Sequence, residues 1–287
     1  MTNFSYDGAF SRNLGWLLES EQLRLKHTRV CIAGLGGVGG VHLLTLARLG
    51  VGAFSVADFD TYAQANFNRQ VGASMSTLGK KKTDVMVAMA QDINPDVDIR
   101  VFDQGLDAAN LDEFLKDGDV YLDGLDFFAL PMRRLVFARC REMGIPAVTV
   151  APLGMGAALL NFVPGGMSFD DYFQFAGQTE DEQALRFLVG LSPSMLQMSY
   201  LVDRSRVDLA QRRGPSTAIA VQLCSGVAAA QVLKLVLKRG KVIAAPRGLH
   251  FDAYRNQLQR TWRPGGNRNP VQRLLLRLAK RRLKGAT

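Results

Sequence analysis

Short unbroken apolar runs alternate along this chain with longer segments whose apolar residues recur every three or four positions. The stretches at 29–33, 53–57, 98–102, 120–122 and 146–150 read as strands, the first of them buried. The segments at 38–49, 80–92, 111–115 and 131–143 read as helices. Gly50-Val51-Gly52, Asn94-Pro95 and Gly144 supply three of the stops. Regular strand–helix alternation predicts an α/β fold: a Rossmann-like, mostly parallel twisted sheet with flanking helices. Such sheets bind ligands beyond the carboxyl ends of their strands.

The pattern differs at both ends. Residues 10–26 read as a helical arm, with Leu14, Trp16, Leu17, Leu18 and Leu25 spaced for a packed face. After Pro164 the chain becomes rich in aromatics and Met, and 165–211 reads as an irregular, partly helical crossover. A long apolar helix is predicted over 217–239, a return strand over 250–253, a linker over 263–270 and a basic helix over 271–284. The expected organisation is an arm (1–28), a central α/β domain (29–253, crossover about 165–215) and a basic linker with a helical tail (254–287).

Charge sharpens this division. The net charge of +9 comes from the tail: residues 253–287 hold ten basic side chains and no acidic one. The remaining chain balances 25 basic against 26 acidic residues. Binding to a polyanion, RNA or an anionic membrane, is therefore expected of the tail and not of the body. No apolar run approaches a membrane span of about 18 residues without Gly or Pro breaking it. The N-terminus lacks the charged-then-apolar order of a secretory signal. Cys31, Cys140 and Cys224 lie far apart, so no disulfide framework is indicated and a reducing cytoplasm is expected.

The candidate chemistry follows the first strand. Gly34, Gly36 and Gly39 satisfy G-x-G-x-x-G between a strand and a helix, with Gly37 inside the turn. Such glycines let the backbone approach phosphate, and the helix N-terminus adds amide donors. Asp58 lies 24 residues beyond Gly34, near the spacing of an acid that holds ribose hydroxyls. Those features alone fit a dinucleotide site equally well. The next segment favours ATP: Asp60, then Asn66-Phe67-Asn68-Arg69-Gln70, then Lys82. Asn66, Arg69 and Lys82 can converge on phosphates, where fixed cations stabilise a departing pyrophosphate. Lys80 and Lys81 read as an exposed helix start. Asp126, after the fourth strand, is a hard carboxylate suited to Mg²⁺, or else a cap for the following helix. Asp123 reads as structural, and His42 as a packed helical residue.

Together these motifs resemble the ThiF/MoeB/HesA family of adenylyltransferases, related to the adenylation domains of ubiquitin-activating enzymes. The likeness covers about 10–162 and resumes weakly over 214–240. It implies ATP and Mg²⁺: Asp58 on ribose, Asn66, Arg69 and Lys82 on phosphates, Asp126 on the metal. Phe10-Ser11-Arg12 is similar to an N-terminal arm whose arginine enters the other subunit's ATP site, which implies a homodimer with Arg12 acting in trans. Family members that carry sulfur have two C-x-x-C zinc pairs; this sequence has none, so no zinc is expected. Members that form thioesters use a crossover cysteine, and none occurs between Ala151 and Ala220. Cys140 and Cys224 fall on apolar helix faces as buried thiols.

The expected activity is adenylation of a carboxylate without an enzyme thioester. The carboxylate belongs to a small modifier protein, a peptide, a metabolite or a tRNA base. The loop N-x-N-R-Q also resembles a tRNA threonylcarbamoyladenosine dehydratase of the same family. A non-catalytic nucleotide-binding scaffold is the alternative from another class. Phe169 to Phe175 either line the substrate site or pack the core.

Overall fold

The computed structural model describes residues 4–207, 211 and 214–284. The crossover positions 208–210 and 212–213, and residues 1–3 of the arm, lie outside the described residues. The chain divides into two compact units: Met1–Leu125 with Ser225–Val242, and Asp126–Cys224 with Ile243–Thr287.

The first unit opens with helices α1 (Tyr6–Phe10) and α2 (Glu19–Lys26), joined through a 3-10 turn at Ser11–Asn13. The continuous helix expected over 10–26 is broken. Gly15 sits at φ +102° and an isolated bridge pairs Leu14 with Leu17, which turns the chain back on itself. Leu17 and Leu25 are buried, but Leu14, Leu18 and Trp16 are exposed, Trp16 at 85%. Tyr6 fastens α1 to the body by donating to the Gly50 carbonyl at 2.5 Å.

Four parallel strands follow, β1 (Arg29–Ala33), β2 (Ala53–Ala57), β3 (Asp98–Phe102) and β4 (Val120–Asp123), in the order β3-β2-β1-β4. The register places Ala33 opposite both Ala57 and Asp123, so β1, β2 and β4 end level. Helices α3 (Gly37–Arg48), α4 (Lys82–Ile93) and α5 (Leu111–Leu115) cross between them. β1 is buried at every residue, as a central parallel strand requires. Cys31 lies within it, its thiol pushed up to about 12 by burial.

The second unit contains α6 (Leu130–Glu142), β5 (Ala147–Leu153), β6 (Gly156–Phe162), α7 (Phe169–Phe173) and α8 (Glu180–Leu191). Helix α9 (Ala218–Leu237) runs from this unit into the first. It is long and apolar enough to cross a membrane by length and composition, yet half of that stretch is buried. Within the first unit, Ser225 donates to Thr45 Oγ1 at 2.7 Å, and Ala228 and Val232 are fully buried. This is the behaviour of a core helix. β7 (Arg247–Asp252), β8 (Gln257–Trp262) and α10 (Pro270–Lys284) complete the unit.

β5, β6, β7 and β8 form an antiparallel meander. Neither β6 nor β8 is foreseen by the apolar pattern. β6 opens on Gly156-Ala157-Ala158, small residues with little strand preference. β8 lies at the end of the strand order and buries only Thr261 of its six residues. Its core is aromatic: Phe169 stacks on Phe137 at 4.3 Å, and Phe173 on Phe175 at 5.3 Å. Phe169, Tyr172, Phe173 and Phe175 are all buried, so these crossover aromatics are core residues.

Candidate functional site

The glycine turn after β1 is fixed by backbone packing. Gly34 adopts φ +84° after β1, a conformation that excludes most side chains. A Cβ there would strike the Gly124 carbonyl, and one on Gly39 would strike the Gly34 carbonyl. The three glycines interlock, so the turn has essentially one shape. Gly36 differs. A Cβ on it would meet only Gln70 Nε2, at 3.6 Å. The protein itself leaves that position open, which is what close approach of a phosphate requires. Gly36 is also the N-cap of α3, and no side chain caps it, so the first amides of a 12-residue helix stay available to an anion.

Asp58, at the carboxyl end of β2, is tied to this turn. Its Oδ2 accepts from the Leu35 amide at 2.7 Å and its Oδ1 from the Asp60 amide at 2.8 Å. A carboxylate has about four lone-pair sites, so two remain for hydroxyl donors. Sequence spacing does not reveal this bond of Asp58 to the turn, because the donor is a backbone amide.

Lys82 is the first residue of α4 and only 5% exposed. Its Nζ donates to Asp60 Oδ2 at 2.7 Å, and its amide donates to the Asp60 carbonyl at 3.0 Å. Lys80 and Lys81 are exposed, and Lys81 Nζ pairs with Asp103 at 2.7 Å. One lysine of three is thus built into the structure, by the acid of the D-x-D pair.

The loop between β2 and α4 is closed at its neck. The Tyr62 amide donates to the Lys80 carbonyl, and the Gly79 amide donates to the Tyr62 carbonyl, at 3.0 and 2.9 Å. Within the loop, Asn66 Oδ1 accepts from the Ala63 amide at 2.9 Å. Arg69 Nη1 donates to the Ala65 carbonyl and to Asn68 Oδ1, each at 2.9 Å. Both side chains are engaged inside their own loop and half-exposed. Gln70 receives no role from sequence reasoning although it belongs to the quoted motif. It is buried beside Gly36, and its Oε1 has no partner among the described residues.

The structure therefore joins Gly34, Leu35 and Asp58, joins Asp60 with Lys82, and sets Gln70 against Gly36. Arg12 is exposed in the 3-10 turn, with no ion pair among the described residues. Asp126 belongs to the second unit and is exposed. Its Oδ1 accepts from the Phe128 amide at 2.9 Å, a local turn ahead of α6; the N-cap of that helix is Ala129. Asp123 is buried, and its Oδ1 accepts from the Leu125 amide at 3.3 Å. No group of three or more potential metal ligands occurs among the described residues. His42 is buried in α3, and desolvation pushes its imidazole down to about 3, so it stays neutral.

A glycine turn packed against a parallel strand, with an acid at the next strand end, defines a nucleotide-binding α/β domain. The ThiF family profile matches residues 10–273, and the chain belongs to the ThiF family. A tRNA threonylcarbamoyladenosine dehydratase of Haemophilus influenzae is 31% identical over 152 residues, 52% of this chain and 57% of that protein. A SAMP-activating enzyme E1 of Haloferax volcanii is 32% identical over 174 residues, 60% of this chain and 64% of that protein. The chain thus spans less than two thirds of the length of these curated relatives. The crystal structure of E. coli MccB with ATP shares the fold, with a TM-score of 0.64 at 19% identity over 91% of this chain and 71% of that one. That of the E. coli dehydratase TcdA has a TM-score of 0.59 at 21% identity, over 81% and 95%.

Proposed function

We propose that this protein adenylates a substrate carboxylate with ATP and releases pyrophosphate. The observation that carries the reading is the pairing of an interlocked glycine turn with a buried lysine held on Asp60. Hydride transfer itself builds no charge for that cation to offset; a departing pyrophosphate does. Gly34, Gly36, Gly37 and Gly39 would cradle the phosphates, with the free amides of α3 as donors. Asp58 would hold ribose through its remaining lone pairs. Asn66, Arg69 and Lys82 would contact the phosphates, Arg69 after leaving its loop carbonyl.

In the reaction a carboxylate oxygen of the substrate attacks the α-phosphorus. The bond to the β-phosphate oxygen breaks and pyrophosphate departs, leaving a mixed anhydride. Lys82 and Arg69 offset the charge that gathers on the leaving group. Mg²⁺ fits as a companion of the nucleotide, since it binds through one or two carboxylates plus phosphate oxygens. Asp126 would supply one of these, and the ion would neutralise phosphate charge. Arg12, exposed and unpaired among the described residues, would reach the site of a second copy in a homodimer.

The acyl group would pass directly to the acceptor. All three cysteines are buried, and burial raises the thiols of Cys31 and Cys224, so none is a ready nucleophile. The substrate class is a peptide or modifier C-terminus, a metabolite or a tRNA base. The N-x-N-R-Q loop and the dehydratase relative favour testing tRNA alongside peptides.

ATP–pyrophosphate exchange with separated peptide, small-molecule and tRNA fractions tests the proposal. One fraction is expected to stimulate exchange, and Lys82→Ala and Asp126→Ala are each expected to slow it by about a hundredfold or more. If wild type and Asp126→Ala bind ATP equally and neither exchanges with any fraction, the protein is a nucleotide-binding scaffold.

A further inference from the structure

Helix α10 carries three distinct stripes. The first faces its own unit: Leu276 is buried with Leu185 and Val189 of α8, and Gln272 Nε2 donates to the Val189 carbonyl at 2.8 Å. Lys280 Nζ adds an ion pair with Glu182 at 2.8 Å. The helix is therefore fastened along its length to α8, where the sequence leads one to expect a detached tail.

The second stripe is apolar and uncovered. Val271, Leu274 and Leu278 follow helical i, i+3, i+7 spacing and are 53%, 53% and 42% exposed. The third stripe borders it. Arg273, Arg277 and Arg281 recur every four residues, are exposed, and have no carboxylate partner among the described residues. The last helix of the unit thus carries an aliphatic ridge alongside a row of guanidinium groups without a carboxylate partner among the described residues.

We propose that this face of α10 docks on an anionic lipid surface. The cations match lipid phosphates, and the ridge enters the boundary between headgroups and acyl chains. Charge and apolarity together select this occupant. A nucleic acid would satisfy the arginines and leave the leucines in water, and the stripe offers no aromatic ring for a base to stack on. A second copy apposing the same helix would bring like charge against like. A lipid interface covers both stripes at once. The surface is independent of adenylation and would hold the enzyme near membrane-associated substrates.

The test is co-sedimentation of the full chain with vesicles of phosphatidylglycerol and phosphatidylcholine, and with phosphatidylcholine alone. Binding is expected only to the anionic vesicles, and it should weaken as salt rises. Reversing Arg273, Arg277 and Arg281 to Glu should weaken it by about a hundredfold or more, at about one tenfold step per cation lost or somewhat less. The pair Leu274→Ser with Leu278→Ser should weaken it by about tenfold. Unchanged thermal melting of both variants confirms that α10 still packs on α8. Absence of vesicle binding overturns the proposal, as does binding that ignores the leucine pair. Binding of tRNA lost with the arginines, without any vesicle binding, assigns the face to nucleic acid instead.

Discussion

The two units of this protein are specified by different means. At the functional end of the first, the backbone does the work: three glycines exclude one another's side chains, and an aspartate ties down the turn between them. The second is organised by rings. Phe137, Phe162, Phe169, Phe173, Phe175 and Phe187 pack in a continuous cluster, and the Arg133 guanidinium lies 4.7 Å over the Phe187 ring. Steric exclusion leaves a turn a single geometry at little cost in apolar area. Aromatic packing supplies stability through area and tolerates many sequences. The first unit is therefore expected to be intolerant at few positions, and the second to lose stability in proportion to the volume removed.

Phe173→Ala applies the largest strain to this contrast. Phe173 is fully buried, and its truncation should cost about 3–5 kcal/mol in denaturant titration. Nucleotide affinity of the molecules that remain folded should be unchanged by calorimetry. Loss of ATP binding in folded Phe173→Ala protein would break the comparison. Gly39→Ala is the converse. Its methyl would collide with the Gly34 carbonyl, so a stability loss of about 3 kcal/mol should accompany loss of ATP binding. A variant with normal affinity would show that the turn is softer than its packing indicates.

Histidine sharpens the comparison more gently, because each unit buries one. His42 has no partner for Nδ1 among the described residues, and desolvation holds it down to about 3 against an ordinary 6.5. His250 is also pushed down, but its Nδ1 meets Ser192 and Ser194 at 2.9 and 3.1 Å. Between these limits the unfolded chain takes up a proton that folded His42 refuses, so stability falls as pH falls. The slope from His42 alone should approach 1.4 kcal/mol per unit, about as large as one titrating group can give. His42→Gln should flatten the urea midpoint between about pH 6 and 4 relative to wild type. An unchanged slope would mean that His250 or the carboxylates dominate.

The same contrast explains what the sequence reveals. β1 and β2 are legible to the residue because buried parallel strands leave short, mostly apolar runs, and β3, a partly exposed strand of the sequence DIRVF, because its Ile, Val and Phe alternate with or follow polar residues before a turn. The burial of Lys82 beside exposed Lys80 and Lys81 agrees with the motif spacing that sets it apart from them. β6 is hidden because Ala157 and Ala158 carry no strand signal, and β8 because an edge strand exposes polar residues. The arm is misread as continuous because periodicity does not register a single left-handed glycine. The bond from Asp58 to Leu35, the burial of Gln70 and the local turn at Asp126 depend on backbone donors and three-dimensional neighbours, which no pattern of side chains records.

The burial of all three cysteines has a practical consequence. A maleimide dye finds no accessible native thiol, so one cysteine placed at Trp16 or at Val202 would become the sole labelling position. The natural chain is thus already a low-background host for single-molecule fluorescence, and the motions of its arm can be followed without first stripping the core of sulfur.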